Sequence, residues 1–153
     1  MFRIVLFEPE IPQNTGNIAR LCAASNIELL LVGKLGFSLE DKYLKRSGMD
    51  YWNYVKYSHI KSIDEYMENY CHFICISTKG THIYSQFDIV NNSDVDIIFG
   101  SEGSGLPKFI YEKYTDRLYR IPMKEDVRSL NLSSSAAVIT YCFLEKLNYP
   151  NLV

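Results

Sequence analysis

The stretch "DVDIIFGSEGSGLP", Asp94 to Pro107, decides how this chain is read. Ile97, Ile98 and Phe99 are apolar at successive positions, as in a strand buried on both faces of a sheet. Gly100, Gly103 and Gly105 follow at once, and a helix is expected from about Leu106. Glycines at such a place let the backbone approach a ligand and offer its N–H groups. They equally suit a tight strand–helix turn, and this stretch alone leaves both readings open. Their order is G-x-x-G-x-G, which matches neither the dinucleotide-binding fingerprint nor a P-loop.

Working outward, "FRIVLF" (2–7), "ELLLVG" (28–33), "HFICIS" (72–77) and "RLYRIP" (117–122) also read as strands. Helix-period segments fall at roughly 14–25, 39–47, 62–70, 106–114 and 131–147. This alternation means an α/β sandwich around a largely parallel sheet. The 153 residues suffice for one domain with a sizeable core, and no repeat or linker-like tract divides them. In open parallel sheets, ligands bind beyond the carboxyl ends of the strands. "EPEIPQNTGN", "STKGT", "GSEGSGLP" and "PMKEDVRSLNLSSS" are therefore expected to build one site between them.

Charge and composition narrow the function. Sixteen Lys and Arg against 18 Asp and Glu give a net charge of −2, which argues against non-specific coating of nucleic acid but leaves room for a local basic patch. The apolar runs are strand-length, so no membrane partner is expected, and "MFRIVLFEPE" reads as a first strand, not a signal peptide. Cys22, Cys71, Cys75 and Cys142 form no C-x-x-C pair and read as reduced thiols of a cytoplasmic protein. His59, His72 and His82 are scattered, so no metal is expected, and no G-x-S-x-G elbow offers a serine nucleophile.

Four features carry candidate chemistry. In "RIPMKEDVRSLNLSSSAAV", Ser129, Asn131, Ser133, Ser134 and Ser135 crowd the approach to a helix that runs from Ala136 to Leu147. One such side chain suffices as a cap, and the excess favours a ligand loop. In "EPEIPQNTGNIARLC", Asn14 is expected to cap a helix whose Ile18, Leu21 and Cys22 face the core. Asn17 and Arg20 share another face with Ala24; Arg20 reads alone as a solvated or ion-paired side chain, and its tie to Asn17 at a strand end raises a functional alternative. Lys42, Lys45, Arg46 and Lys56 are interleaved with Tyr43, Tyr51, Trp52, Tyr54 and Tyr57, which suits RNA phosphates and bases as well as it suits a half-buried strand. Glu102 is the one carboxylate in the glycine loop, while "STKGT" alone reads as a plain turn.

Taken together these stretches resemble the SPOUT RNA methyltransferases, most nearly their small tRNA wobble-nucleotide 2′-O-methyltransferase type. "EPEIPQNTGNIARLC", "DKYLKRSGMDYW", "STKG", "FGSEGSGLP" and "IPMKEDVRSLNLSSSAAV" carry the resemblance in order along nearly the whole chain. One departure is Ser104, where the family often has a basic residue. The resemblance implies a single 1–153 domain without an accessory RNA-binding domain, a C-terminal deep trefoil knot and a homodimer. It implies S-adenosylmethionine as cofactor, held by Ile76, Thr78, Gly100, Glu102, Gly103, Ile121, Met123, Ser129 and Leu130. It assigns deprotonation of the ribose hydroxyl to Arg20, the substrate being the anticodon stem-loop of a tRNA; beside it Asn17 is expected to position Arg20, Asn131 to orient the hydroxyl, and Lys45 and Arg46, with Lys42, to contact the stem phosphates. Two rivals stand beside it: the same enzyme acting on ribosomal RNA, and a non-catalytic, flavodoxin-like nucleotide-binding regulator.

Overall fold

The computed structural model describes residues 1–92 and 94–153, with the side chains of 47–50 outside that description. Seven parallel strands form one sheet in the order β3-β2-β1-β6-β4-β7-β5. They are β1 (Arg3–Phe7), β2 (Glu28–Val32), β3 (Tyr57–Ile60), β4 (Phe73–Ile76), β5 (His82–Ile83), β6 (Asp96–Phe99) and β7 (Leu118–Arg120). The helices are α1 (Pro12–Ser25), α2 (Lys42–Gly48), α3 (Ile63–Asn69), α4 (Lys108–Lys113) and α5 (Leu132–Lys146).

Successive apolar residues in these strands serve two cores, because side chains alternate across a sheet. Ile4, Leu6, Leu29, Leu31, Ile74, Ile76, Ile97 and Phe99 pack against α1 and α5, through Ile18, Ala19, Cys22, Ile139 and Phe143. Val5, Phe7, Leu30, Val32, Phe73, Cys75 and Ile98 pack on the opposite face against Tyr66 of α3 and Ile110 of α4. The result is a three-layer α/β sandwich.

Strand order places the site. After β1 the chain turns to α1 on one face, whereas after β6, hydrogen-bonded beside β1, it turns to α4 on the other. The two post-strand loops therefore part at the β1/β6 boundary and leave a crevice there. Further along the sheet, β7 lies between β4 and β5. The connection from β4 to β5 passes so close over β7 that a Cβ on Gly80 would lie 2.3 Å from the carbonyl carbon of Tyr119. Only glycine fits that crossing.

Two local expectations need correction. The first helix begins at Pro12, so Asn14 is not its N-cap; that position is Ile11, which has no capping side chain of its own. Proline suits the first helical position because its missing N–H would be unpaired there anyway. The last helix begins at Leu132, so Ser133, Ser134 and Ser135 lie inside its first turn and do not precede it. Asn131 is the cap, its Oδ1 accepting from the N–H groups of Ser133 at 2.9 Å and Ser134 at 3.3 Å.

Candidate active site

A cleft of about 660 Å³ opens at the carboxyl ends of β4, β6 and β7. Three loops build its walls. Ile76 and Thr78 come from the end of β4 and the turn after it, Gly100, Glu102 and Gly103 from the glycine loop, and Ile121, Met123, Ser129, Leu130 and Asn131 from the segment before α5. All nine residues assigned to a cofactor by sequence thus lie around one cavity, with Asn131 beside them. Ser77, Ser101, Tyr111 and Ser135 also line it. Ser77 falls inside the loop that the sequence places at the site without being singled out there, because "STKGT" alone reads as a plain turn.

The glycine loop is held as a tight hook. Ser101 and Gly105 exchange backbone hydrogen bonds of 3.1 and 2.9 Å, and Ser104 Oγ lies 2.7 Å from Ser101 Oγ. Gly105 adopts φ +72°, open to glycine at no cost. A Cβ on Gly100 would lie 2.2 Å from the carbonyl carbon of Gly105, so the hook closes only because that side chain is absent.

Glu102 reaches out of this hook to the start of α1. Its carboxylate accepts from the N–H groups of Glu10 at 2.8 Å and Ile11 at 3.1 Å, and so caps a helix that has no cap of its own. A negative charge at that end also complements the helix dipole. Asn14, buried in the first turn of α1, donates to Glu102 Oε1 at 3.1 Å and accepts from Asn131 Nδ2 at 2.9 Å. One chain of hydrogen bonds therefore joins the glycine loop, the first turn of α1 and the cap of α5.

The other assigned residues lie elsewhere. Asn17 and Arg20 are exposed on α1 and do not line the cleft of their own subunit. No hydrogen bond joins them among the described residues; the Arg20 guanidinium instead lies over the Tyr51 ring, 4.9 Å from its centroid. Lys45 and Arg46 are exposed on α2, and Lys45 pairs with Glu40 at 2.5 Å. Of the interleaved aromatics, Trp52 packs against the first core and edge-on to Tyr57, whereas Tyr54 stands 76% exposed. Among the described residues no group of three or more His, Cys, Asp or Glu side chains could hold a metal ion, and no helix is long and apolar enough to cross a membrane.

A parallel sheet with a cleft built from three post-strand loops and a hooked glycine turn is the frame of a methylase: the chain belongs to the SpoU rRNA Methylase family, whose model matches residues 1–141. A relative from Methylovorus glucosotrophus (strain SIP3-4), named tRNA (cytidine(34)-2'-O)-methyltransferase, is 45% identical over 92% of this chain and 92% of its own length. A solved structure described as "Structural insights into the 2-OH methylation of C/U34 on tRNA" superimposes with TM-score 0.90 at 34% identity, covering 97% of both chains. AviRb of Streptomyces viridochromogenes, a SpoU methyltransferase solved in complex with the cofactor AdoMet, gives TM-score 0.83 over 97% of this chain and 58% of that one. At 20% identity the last likeness is one of fold.

Proposed function

We propose that this chain transfers a methyl group from S-adenosylmethionine to the ribose 2′-oxygen of the wobble nucleotide, cytidine or uridine 34, of tRNA. The observation that carries the reading is the three-loop cleft in a chain alike over nearly its full length to a relative named for that reaction. The cleft suits the cofactor. Its 660 Å³ falls within the usual range for small-molecule sites, roughly 300–1,000 Å³. Ile76, Ile121, Met123 and Leu130 offer apolar walls, Thr78 and Ser129 offer hydroxyls, and the glycine loop offers backbone in place of side chains. In this reading the backbone of Ile76, Gly100 and Ile121 holds the adenosine, while Ser129 and Leu130 close the pocket. Bound there, S-adenosylmethionine supplies a sulfonium methyl already activated toward an oxygen nucleophile.

The protein's own task is to align the hydroxyl and stabilise the charge that develops on it. Arg20 binds the neighbouring phosphate and the developing alkoxide; a guanidinium holds its proton too tightly to act as a free base. Asn17 assists Arg20, and Asn131 orients the ribose. Because Arg20 does not line its own cleft, the reading places it at the cleft of a partner subunit. Ile11 at the start of α1, Leu130 in the loop before α5, and Val138 and Tyr141 on α5, each 40–46% exposed, supply apolar surface for that homodimer. The placement of β7 between β4 and β5, under the crossing at Gly80, supports a C-terminal trefoil knot within a single 1–153 methyltransferase domain acting in the cytoplasm. A crystal structure of the dimer with S-adenosylhomocysteine tests both; a monomer or an unthreaded α5 overturns them.

Labelled methyl transfer to a tRNA pool, followed by mapping of the product, tests the function. Label in the ribose at position 34 is the expected result; label confined to ribosomal RNA, or none, overturns it. A pH–rate comparison with Arg20→Lys tests the role of that residue, since full activity with a lowered pH optimum would mark it as a base. Lys45 and Arg46 are assigned to anticodon-stem phosphates. Neutralising both side chains is expected to reduce the salt dependence of tRNA binding by about 0.9 in logarithmic slope for each phosphate left without its cation, with cofactor affinity unchanged.

A further inference from the structure

We propose that Tyr111 is a positioning residue for the cofactor cleft, its hydroxyl bracing the turn after β4 against the glycine loop and so setting affinity for S-adenosylmethionine. This inference rests on the reading just given and adds a residue which that reading does not use. Tyr111 comes from α4, behind the sheet face opposite α1, and its ring packs on the second core. Its hydroxyl lies 3.1 Å from Ser77 Oγ. Ser77 Oγ in turn accepts from the Lys79 N–H at 3.2 Å, and Lys79 Nζ lies over the Tyr111 ring, 5.0 Å from its centroid. The turn from Ser77 to Lys79 therefore grips both the hydroxyl and the face of one side chain.

The same hydroxyl reaches the other wall. A Cβ on Gly105 would lie 3.5 Å from it, ordinary van der Waals contact, so the phenol sits directly behind the glycine hook. Tyr111, Lys79 and Gly105 line the cleft on one side and a second hollow of about 500 Å³ on the other. Tyr111 is thus part of the partition between them. Backbone bonds from Ser77 N–H to Tyr119 O and from Gly80 N–H to Ser77 O fix where the turn leaves β4. Neither fixes its distance from the glycine loop; the Tyr111–Ser77 bond ties the turn to α4, the helix that follows that loop, with the phenol packed behind Gly105.

A neutral hydrogen bond of this kind contributes about threefold to tenfold in an equilibrium constant. Calorimetric titration of S-adenosylmethionine into wild type, Tyr111→Phe, Ser77→Ala and the double variant tests it, with steady-state kinetics on tRNA alongside. Each single change is expected to weaken cofactor binding about threefold to tenfold, and the double change no further, because both remove one shared bond. KM for S-adenosylmethionine should rise by the same factor, while kcat and KM for tRNA stay within about twofold, a split that general loosening does not produce. Unchanged affinity in Tyr111→Phe, multiplied losses in the double variant, or an equal loss in the tRNA parameters overturns the proposal. Wild type that fails to bind S-adenosylmethionine overturns the underlying reading and this inference with it; binding by wild type with Tyr111→Phe unaffected overturns this inference alone.

Discussion

Two carboxylates flank the same strand, β6, and are used in opposite ways. Asp96, its first residue, is 5% exposed and faces a cation: Arg3 donates Nε and Nη2 to it at 2.7 Å each, and the Tyr66 hydroxyl donates at 2.7 Å. Asp96 raises the Arg3 guanidinium above its ordinary value, while burial first, and then Asp96, raise the Tyr66 phenol. Glu102, three residues beyond the strand's other end, meets among the described residues only neutral amide donors, those of Glu10, Ile11 and Asn14. The first arrangement fixes one strand to its neighbour and a helix. The second joins loops that must stay in register around a cavity. Breaking the amino end of the sheet should therefore cost stability, and breaking the carboxyl end should cost activity.

The largest effect expected is at the carboxyl end. Arg20→Ala should lower methyl transfer on the order of 10²–10³-fold, as for loss of an electrostatic stabiliser of developing charge. It should leave the urea midpoint and cofactor affinity alone, because the residue is exposed. A large shift in that midpoint would place Arg20 with the structural residues and erase the contrast. Asp96→Ala is its converse. It strands a half-buried guanidinium and a buried phenol, and should cost about 3 kcal/mol in urea unfolding, with S-adenosylmethionine affinity unchanged in the folded protein. An equal loss of affinity would show that the two ends are coupled.

Asn14→Ala sharpens the comparison, since it cuts the link between Glu102 and Asn131 at the edge of the cleft that Asn14 also lines. Transfer should fall by roughly tenfold, as misplaced groups lose alignment, while stability falls by only about 1–2 kcal/mol. The smallest effect near neutral pH lies between the two ends, in the cores themselves. Burial pushes the Cys22 and Cys75 thiols from an ordinary 9.0 to about 12. Their contribution to stability is fully present below pH 9 and is lost as pH rises toward 12, because the unfolded chain gives up those protons first. Alkylation of the native protein at pH 8 should modify the exposed Cys71 and spare both.

What the sequence reveals differs between these regions for physical reasons. β1, β2, β4 and β6 are legible because burial on both faces writes apolar runs into them, and β7 through the shorter pattern around its buried Leu118. β3, whose residues are mostly exposed, and the two-residue β5 carry no such run and join the sheet through backbone bonds and a few side-chain contacts, such as Ile60 on the second core and His82 against Tyr119. The post-strand loops are legible as a group, since parallel topology puts them at one end of the sheet. How they are tied together is not. Asn14 reads as a cap because it stands at a helix start, yet its partners lie 88 and 117 residues away. Glu102 reads as facing a ligand, and no local pattern announces that it caps a helix from another part of the chain. Periodicity reports what a segment buries; it does not report which distant side chain satisfies a stray N–H.

The strand order also has a consequence for how the chain is made. β1 pairs with β2 on one side and with β6 on the other, Arg3 opposite Asp96. During synthesis at about 5–20 residues per second, the second edge of β1 waits roughly 5–20 s for its partner to appear. Throughout that interval four apolar residues, Ile4 to Phe7, present an open strand edge of the kind that captures foreign chains. Charges at both ends of such a run act as gatekeepers, and here they are Arg3 and Glu8. Ribosome-bound chains stalled before residue 94 should aggregate more readily with Arg3→Ile than without it. The cation that ends half-buried against Asp96 thus serves first, on the nascent chain, to turn other partners away.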